Sequence, residues 1–178
     1  MAVENLEKVL REHPFLHGMS PEHIQTLVGC ASNRRFSEGE FLTREGARAD
    51  ILYLVRAGKV ALEIRMPQGG GLRIETVHDG DILGWSCFLP PLRWRFDARA
   101  IAPVRTLALD AECLRRKLEE DHEFGFQILK RLTLKIEARF QAARYELRDV
   151  YGSSTAMGPG RAGGGSPVPP GRPGRCRG

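Results

Sequence analysis

Gly80-Asp81-Ile82-Leu83-Gly84-Trp85-Ser86-Cys87-Phe88-Leu89-Pro90-Pro91-Leu92-Arg93-Trp94-Arg95-Phe96-Asp97-Ala98-Arg99-Ala100 is the stretch on which the reading of this chain turns. Ile82-Leu83 reads as a short strand running into Gly84. One turn of helix follows and is cut off by Pro90 and Pro91. Then comes Arg93-Trp94-Arg95, and then a new strand. A glycine that opens a short helix presents free backbone N–H groups, which is how proteins hold anions without a dedicated charge. Two arginines lie close by. The stretch is therefore a candidate cradle for an anion or nucleotide, with Gly84, Trp85, Ser86, Cys87, Arg93, Trp94 and Arg95 as candidate ligand-binding residues.

On both sides the periodicity is two. Phe41–Arg44, Asp50–Arg56, Val60–Arg65, Leu72–Val77, Ala98–Ala102 and Val104–Asp110 read as strands, punctuated by Gly39, Gly46, Gly58 and Gly69-Gly70-Gly71. Short strands at this spacing, with glycine turns, indicate a barrel or a jelly-roll sandwich.

Helices flank the strands. Val3, Leu6, Val9 and Leu10 recur at helical spacing over residues 3–12, and Pro14 ends that helix. Ser20-Pro21-Glu22 is a helix start with Ser20 as N-cap and Pro21 in the first position; Ile24, Leu27 and Val28 form its apolar face. Asp110 caps a helix over 111–119. Asp121 caps a long one over about 122–151, in which Leu129, Thr133, Ile136, Phe140, Ala143, Leu147 and Val150 make a seam of about three heptads. Either this seam packs on the chain's own strands, or it is the interface of a two-stranded homodimer. Thirty residues of helix run roughly 45 Å, longer than a small barrel can cover. Residues 158–178 hold eight glycines and five prolines and no periodicity, so 152–178 is expected to be a disordered tail beside a folded domain over 3–151.

The bulk composition excludes several classes. Of 178 residues, 42% are hydrophobic and 28% charged, ordinary for a globular protein. The formal charge of +5 comes largely from Arg161, Arg172, Arg175 and Arg177, which sit in a stretch without acids. The rest of the chain is close to neutral, unlike a basic nucleic-acid-binding domain. No run approaches the ~20 apolar residues of a membrane span, and the start, MAVENLEKVLREH, is not a signal peptide. A cytoplasmic location is expected. Cys30, Cys87, Cys113 and Cys176 are widely spaced with no CxxC pair, so neither a zinc site nor a disulfide framework is suggested. The histidines at 13, 17, 23, 78 and 122 form no metal-ligand pattern. No GxSxG, phosphate-binding P-loop or HExxH occurs, and no enzyme is expected.

The glycine pattern resembles the cyclic-nucleotide-binding domain of the catabolite-activator (Crp/Fnr-like) superfamily. Gly39-Glu40, Glu45-Gly46, Tyr53-Leu54-Val55, Gly58 with Val60, and Gly80-Asp81 with Gly84 stand at the family's spacing, and the likeness covers about residues 3–150. It implies a mainly β fold: an eight-stranded jelly-roll β-barrel with N-terminal helices, a short helix in the ligand cassette and a long C-terminal dimerisation helix. It also implies cyclic AMP or cyclic GMP, or another small anion, as ligand. The family cassette normally carries a glutamate for the ribose hydroxyl and an arginine for the cyclic phosphate. Here those positions are Trp85 and Trp94, with Arg93 and Arg95 on either side of the second. Losing a charge-assisted hydrogen bond costs ~1.5–3 kcal/mol, so two losses weaken binding roughly a hundredfold or more. The stretch 84–100 is similar to short bacterial members of the superfamily with the pattern G-W-S…P-P-x-R-W-x-F-D-A-R-A. Only the Gly/Pro stretch follows the long helix, so no recognition helix and no direct nucleic-acid contact are expected.

The resemblance implies a regulatory module that signals to a protein partner by allostery on binding a small anion. Two alternatives stay open. The tryptophans fill the pocket and the domain is a ligand-free dimeric scaffold, or Cys87 at the helix start is a redox sensor. Arg99 is expected to point outward or to pair with Asp97 or Glu112.

Overall fold

The computed structural model describes the backbone of residues 3–155 and the side chains of residues 6–145. The chain divides after Ile136 into two units, Met1–Ile136 and Glu137–Gly178.

The first unit opens with α1 (Val3–Glu12), a single 3-10 turn (Pro14–Leu16) and α2 (Pro21–Val28). The cap signals act as the sequence suggests: the Ser20 hydroxyl accepts from the His23 N–H at 3.2 Å, and Gly29 closes α2. Leu10, Ile24 and Leu27 turn inward and are almost fully buried.

Eight strands follow: β1 (Ala31–Phe36), β2 (Phe41–Thr43), β3 (Ile51–Ala57), β4 (Val60–Arg65), β5 (Gly71–Val77), β6 (Ile82–Leu83), β7 (Asp97–Ala100) and β8 (Val104–Asp110). They form two antiparallel four-stranded sheets, ordered β1-β8-β3-β6 and β2-β7-β4-β5. The eight-strand jelly-roll expectation holds, as two sheets rather than one closed barrel. Leu52, Leu54, Val60, Ile82, Leu107 and Leu109 are completely buried and form the centre of the core. At Gly58 the β3–β4 turn lies against Pro103, where a Cβ would stand 2.3 Å from the carbonyl oxygen. Only glycine fits there.

Helix α3 (Ala111–Glu120) starts at Asp110, whose carboxylate accepts from the Cys113 N–H at 2.7 Å. Asp121 does the same for the start of α4 (His122–Thr155), accepting from the Phe124 N–H at 3.0 Å. Helix α4 thus runs a turn beyond the expected boundary near 151, and residues 156–178 of the expected tail lie outside the described residues.

The cysteines require a correction. Cys30, just past α2, and Cys113, in the first turn of α3, form a disulfide with their Cα atoms 5.8 Å apart. They are 83 residues apart in the chain. Spacing along the sequence carries no sign of this pair, because β1 and β8 run side by side and bring their outer ends together. Ala31 pairs with Leu109, and the Asp110 N–H donates to the Cys30 carbonyl at 3.0 Å.

Candidate functional site

Strand β6 is held against β3 through Tyr53–Leu83 and Leu54–Ile82. It delivers the chain into Gly84, which has φ 105° and opens the single 3-10 turn Trp85–Phe88. A side chain at 84 would meet the Ile51 carbonyl at 2.6 Å and the indole of Trp94 at 3.0 Å. Trp94 is only 7% exposed and belongs to the main core. Its backbone is fastened on both sides: its N–H donates to the Ala47 carbonyl and its carbonyl accepts from the Gly46 N–H, each at 2.9 Å. Trp94, the residue expected at the position of the resembled family's phosphate-binding arginine, is therefore a buried, anchored indole lying on Gly84.

The other candidate residues are brought near this point but do not converge as a charged pocket. Trp85 is half-buried and packs on the core. Ser86 and Cys87 are buried. Burial pushes the Cys87 thiol up to about 12, so it stays protonated and is a poor nucleophile. Its carbonyl accepts from the Arg115 guanidinium of α3 at 2.6 Å, tying the cassette to that helix. Arg93 is exposed, and its guanidinium donates to the Gly46 carbonyl at 2.7 Å on the outside of the fold. Arg95 is exposed. Among the described residues no group of acids, histidines and cysteines is arranged to hold a metal ion.

A second charged region lies on the sheet β2-β7-β4-β5. Register places Asp97 opposite Glu63, and Arg99 opposite both Ala61 and Phe41. Arg99 pairs with Glu63 through two N–H···O contacts, at 3.2 and 2.5 Å. The expected partners Asp97 and Glu112 are engaged elsewhere: Glu112 lies 3.6 Å from Arg48, and Asp97 takes Arg44, Arg65 and the Glu45 N–H. The hydrogen bonds that Arg99 donates to the Glu63 carboxylate hold its guanidinium above its usual range. Sequence reading passed over this cluster, although Glu63/Arg65 and Asp97/Arg99 alternate at the strand period and so must share a face.

Asp81, immediately before β6, connects the cassette to α4. Its carboxylate lies 2.8 Å from the Lys135 ammonium and also accepts from the His78 N–H. On α4, Phe124, Ile128 and Leu132 face the core, whereas Leu129 (51%), Ile136 (37%) and Phe140 (62%) are exposed. Thr133 and Ala143 are exposed too, while the side chains of Leu147 and Val150 lie outside the described residues. The heptad seam and the core-facing stripe are therefore different faces of the helix.

The fold, its cassette and the long helix define a class, and comparison with known proteins agrees. Residues 33–121 match the cyclic nucleotide-binding domain family, and the chain belongs to it. A CRP-like cAMP-activated global transcriptional regulator of Mycobacterium tuberculosis is 24% identical over 131 residues, 74% of this chain and 58% of that protein. The chain thus spans less than two thirds of the length of this curated relative. Among solved structures, a putative cyclic nucleotide-binding protein from Geobacter metallireducens GS-15 is 23% identical with a TM-score of 0.66, covering 79% of this chain and 98% of that one. The regulatory subunit of a cAMP-independent protein kinase A from Trypanosoma brucei is 23% identical with a TM-score of 0.62, covering 80% and 51%.

Proposed function

We propose that this chain is a regulatory module that pairs with a second copy through α4 and acts on a protein partner, with its cassette closed to cyclic nucleotides by Trp94. The observation that carries this reading is the indole on Gly84, 7% exposed and fixed by two backbone hydrogen bonds. A nucleotide phosphate there would have to displace a buried aromatic side chain, at a cost of ~1.5–3 kcal/mol, and would meet no guanidinium in return. The fold also serves the Trypanosoma brucei regulatory subunit, which belongs to a protein kinase A described as cAMP-independent. Signalling, on this reading, passes from β6 through Asp81 and Lys135 into α4, as a shift between conformations. Titration calorimetry of the whole chain with cyclic AMP and cyclic GMP tests it. No binding is expected up to millimolar ligand, and a micromolar Kd with either would sink the closed cassette.

The second reading keeps Gly84, Trp85, Ser86, Cys87, Arg93, Trp94 and Arg95 as a site for a small anion. It is supported by Arg95, exposed and adjacent to Trp94. It requires Trp94 to swing out, which a change in tryptophan fluorescence on adding a nucleotide would reveal. Arg95→Gln should then abolish the change.

A further inference from the structure

The outer charged cluster forms a concavity of about 680 Å³ bounded by β2, β4, β7 and the β4–β5 hairpin. Its charges are arranged in layers. The carboxylate side chains of Glu63 and Asp97 are 10% and 11% exposed, while those of Arg44, Arg65 and Arg99 are 52%, 55% and 40% exposed. Acids therefore form the floor, and guanidinium groups face the opening. The count of three cations to two anions understates the positive character of the mouth.

The arginines are positioned but not saturated. Arg44 and Arg65 each stand 3.5 Å from Asp97. That is long for a charge-assisted contact, which closes to ~2.7–2.9 Å when fully engaged. The guanidinium carbon of Arg44 also sits over the Phe41 ring, 3.9 Å from its centroid. Opposite Arg65 in the β4–β5 ladder is Gly71, where a Cβ would lie 3.0 Å from the Glu63 carboxylate. A residue with a side chain there would crowd the acid that orients Arg99. The hairpin thus leaves the floor open.

We propose that this face is a binding site, separate from the cassette, for a small phosphate-bearing anion. Three guanidinium groups, from Arg44 just past β2, Arg65 at the end of β4 and Arg99 in β7, line the one concavity. A tetrahedral phosphate has oxygens to meet all three, whereas a planar carboxylate is filled by one fork. A neighbouring concavity holding Arg34 and Arg35 shares Phe41 with this one and adds to the attraction at long range. The site does not depend on whether the cassette is closed.

Calorimetric titration of the whole chain with inorganic pyrophosphate tests the proposal. One site per chain is expected, weakened at least tenfold in the double variant Arg44→Gln/Arg65→Gln, unchanged in Arg95→Gln and unaffected by equimolar cyclic AMP. Both substituted side chains are more than half exposed, and an unchanged melting temperature would confirm that the variant folds. Absence of binding overturns the proposal, as does binding that survives the double substitution or is lost in Arg95→Gln. Binding of cyclic AMP that survives the double substitution would count against the closed cassette and leave this site standing.

Discussion

The ring of Trp94 stands 3.0 Å from the point where a Cβ on Gly84 would lie, so the largest side chain of the cassette rests on the residue with none. The two are mutually dependent. Gly84 has φ 105°, where side chains are strained, and the Ile51 carbonyl closes the other side at 2.6 Å. Gly84→Ala should therefore cost ~1–3 kcal/mol for the backbone alone, with the clash added. The expected result is a lower urea midpoint with an unchanged slope, together with altered tryptophan emission. A neutral substitution would mean that the indole is not packed there.

Cys30–Cys113 ties the end of α2 to the start of α3 and closes a loop of 83 residues. Chain-entropy reasoning makes such a cross-link worth ~2–4 kcal/mol, because the reduced unfolded chain has more freedom to lose on folding. The double variant Cys30→Ser/Cys113→Ser should melt lower than the oxidised chain and match the reduced wild type. Thiol counting without denaturant should leave Cys87 unlabelled, since it is fully buried and its thiol is pushed up to about 12.

These two features differ in how far the sequence disclosed them. Gly84 was legible because a strand, a glycine and a truncated helix turn follow one another locally. The caps at Ser20, Asp110 and Asp121 were legible for the same reason, and so was the existence of β4 and β8, although each buries four consecutive residues instead of every second one. The disulfide was not, because it depends on β1 lying beside β8, a long-range pairing without a local signature. Arg99 shows an intermediate case. The sequence placed it on a strand with acids nearby, but the choice of Glu63 over Asp97 needs the β4–β7 register. Replacement of the cassette charges by Trp85 and Trp94 could be read from the alignment of motifs. The burial of Trp94 was not legible in the sequence, and its 7% exposure supports the reading of a plug over that of a lid.

His13 makes stability sensitive to mild acid. Its ring lies within hydrogen-bonding distance of the Val55 carbonyl (3.1 Å) and accepts from the Phe15 N–H (3.3 Å), and it is 4% exposed. Burial, which outweighs the Val55 hydrogen bond, lowers its pKa below the ordinary 6.5, with Lys135 and Arg56 adding to the lowering and Asp81 opposing it. The folded state thus holds the neutral ring while the unfolded chain protonates first. Stability present above pH 6.5 should fall as the pH drops below it, towards the folded pKa. His13→Gln should cost ~1–3 kcal/mol at neutral pH through broken buried hydrogen bonds and should flatten the stability profile between pH 6.5 and about 5, above the ordinary carboxylate range. An unchanged profile would show that His13 is not the group responsible.

The exposed seam of α4 leads to the last expectation. Leu129, Ile136 and Phe140 are 51%, 37% and 62% exposed on a face distinct from that of Phe124, Ile128 and Leu132. Burying a large apolar side chain is worth ~1.5–3 kcal/mol. In a two-fold interface each substitution is felt twice, so Phe140→Glu should weaken association by roughly two to four orders of magnitude. Sedimentation velocity across a concentration series reads this directly. The wild type is expected to sediment as a dimer and Phe140→Glu as a monomer, with circular dichroism of the β sheets unchanged. Leu134→Glu, at a residue 60% exposed but off the heptad seam, should leave the dimer largely intact. If both substitutions dissociate it equally, pairing does not follow the seam; if the wild type is monomeric throughout, α4 does not serve as a dimerisation helix.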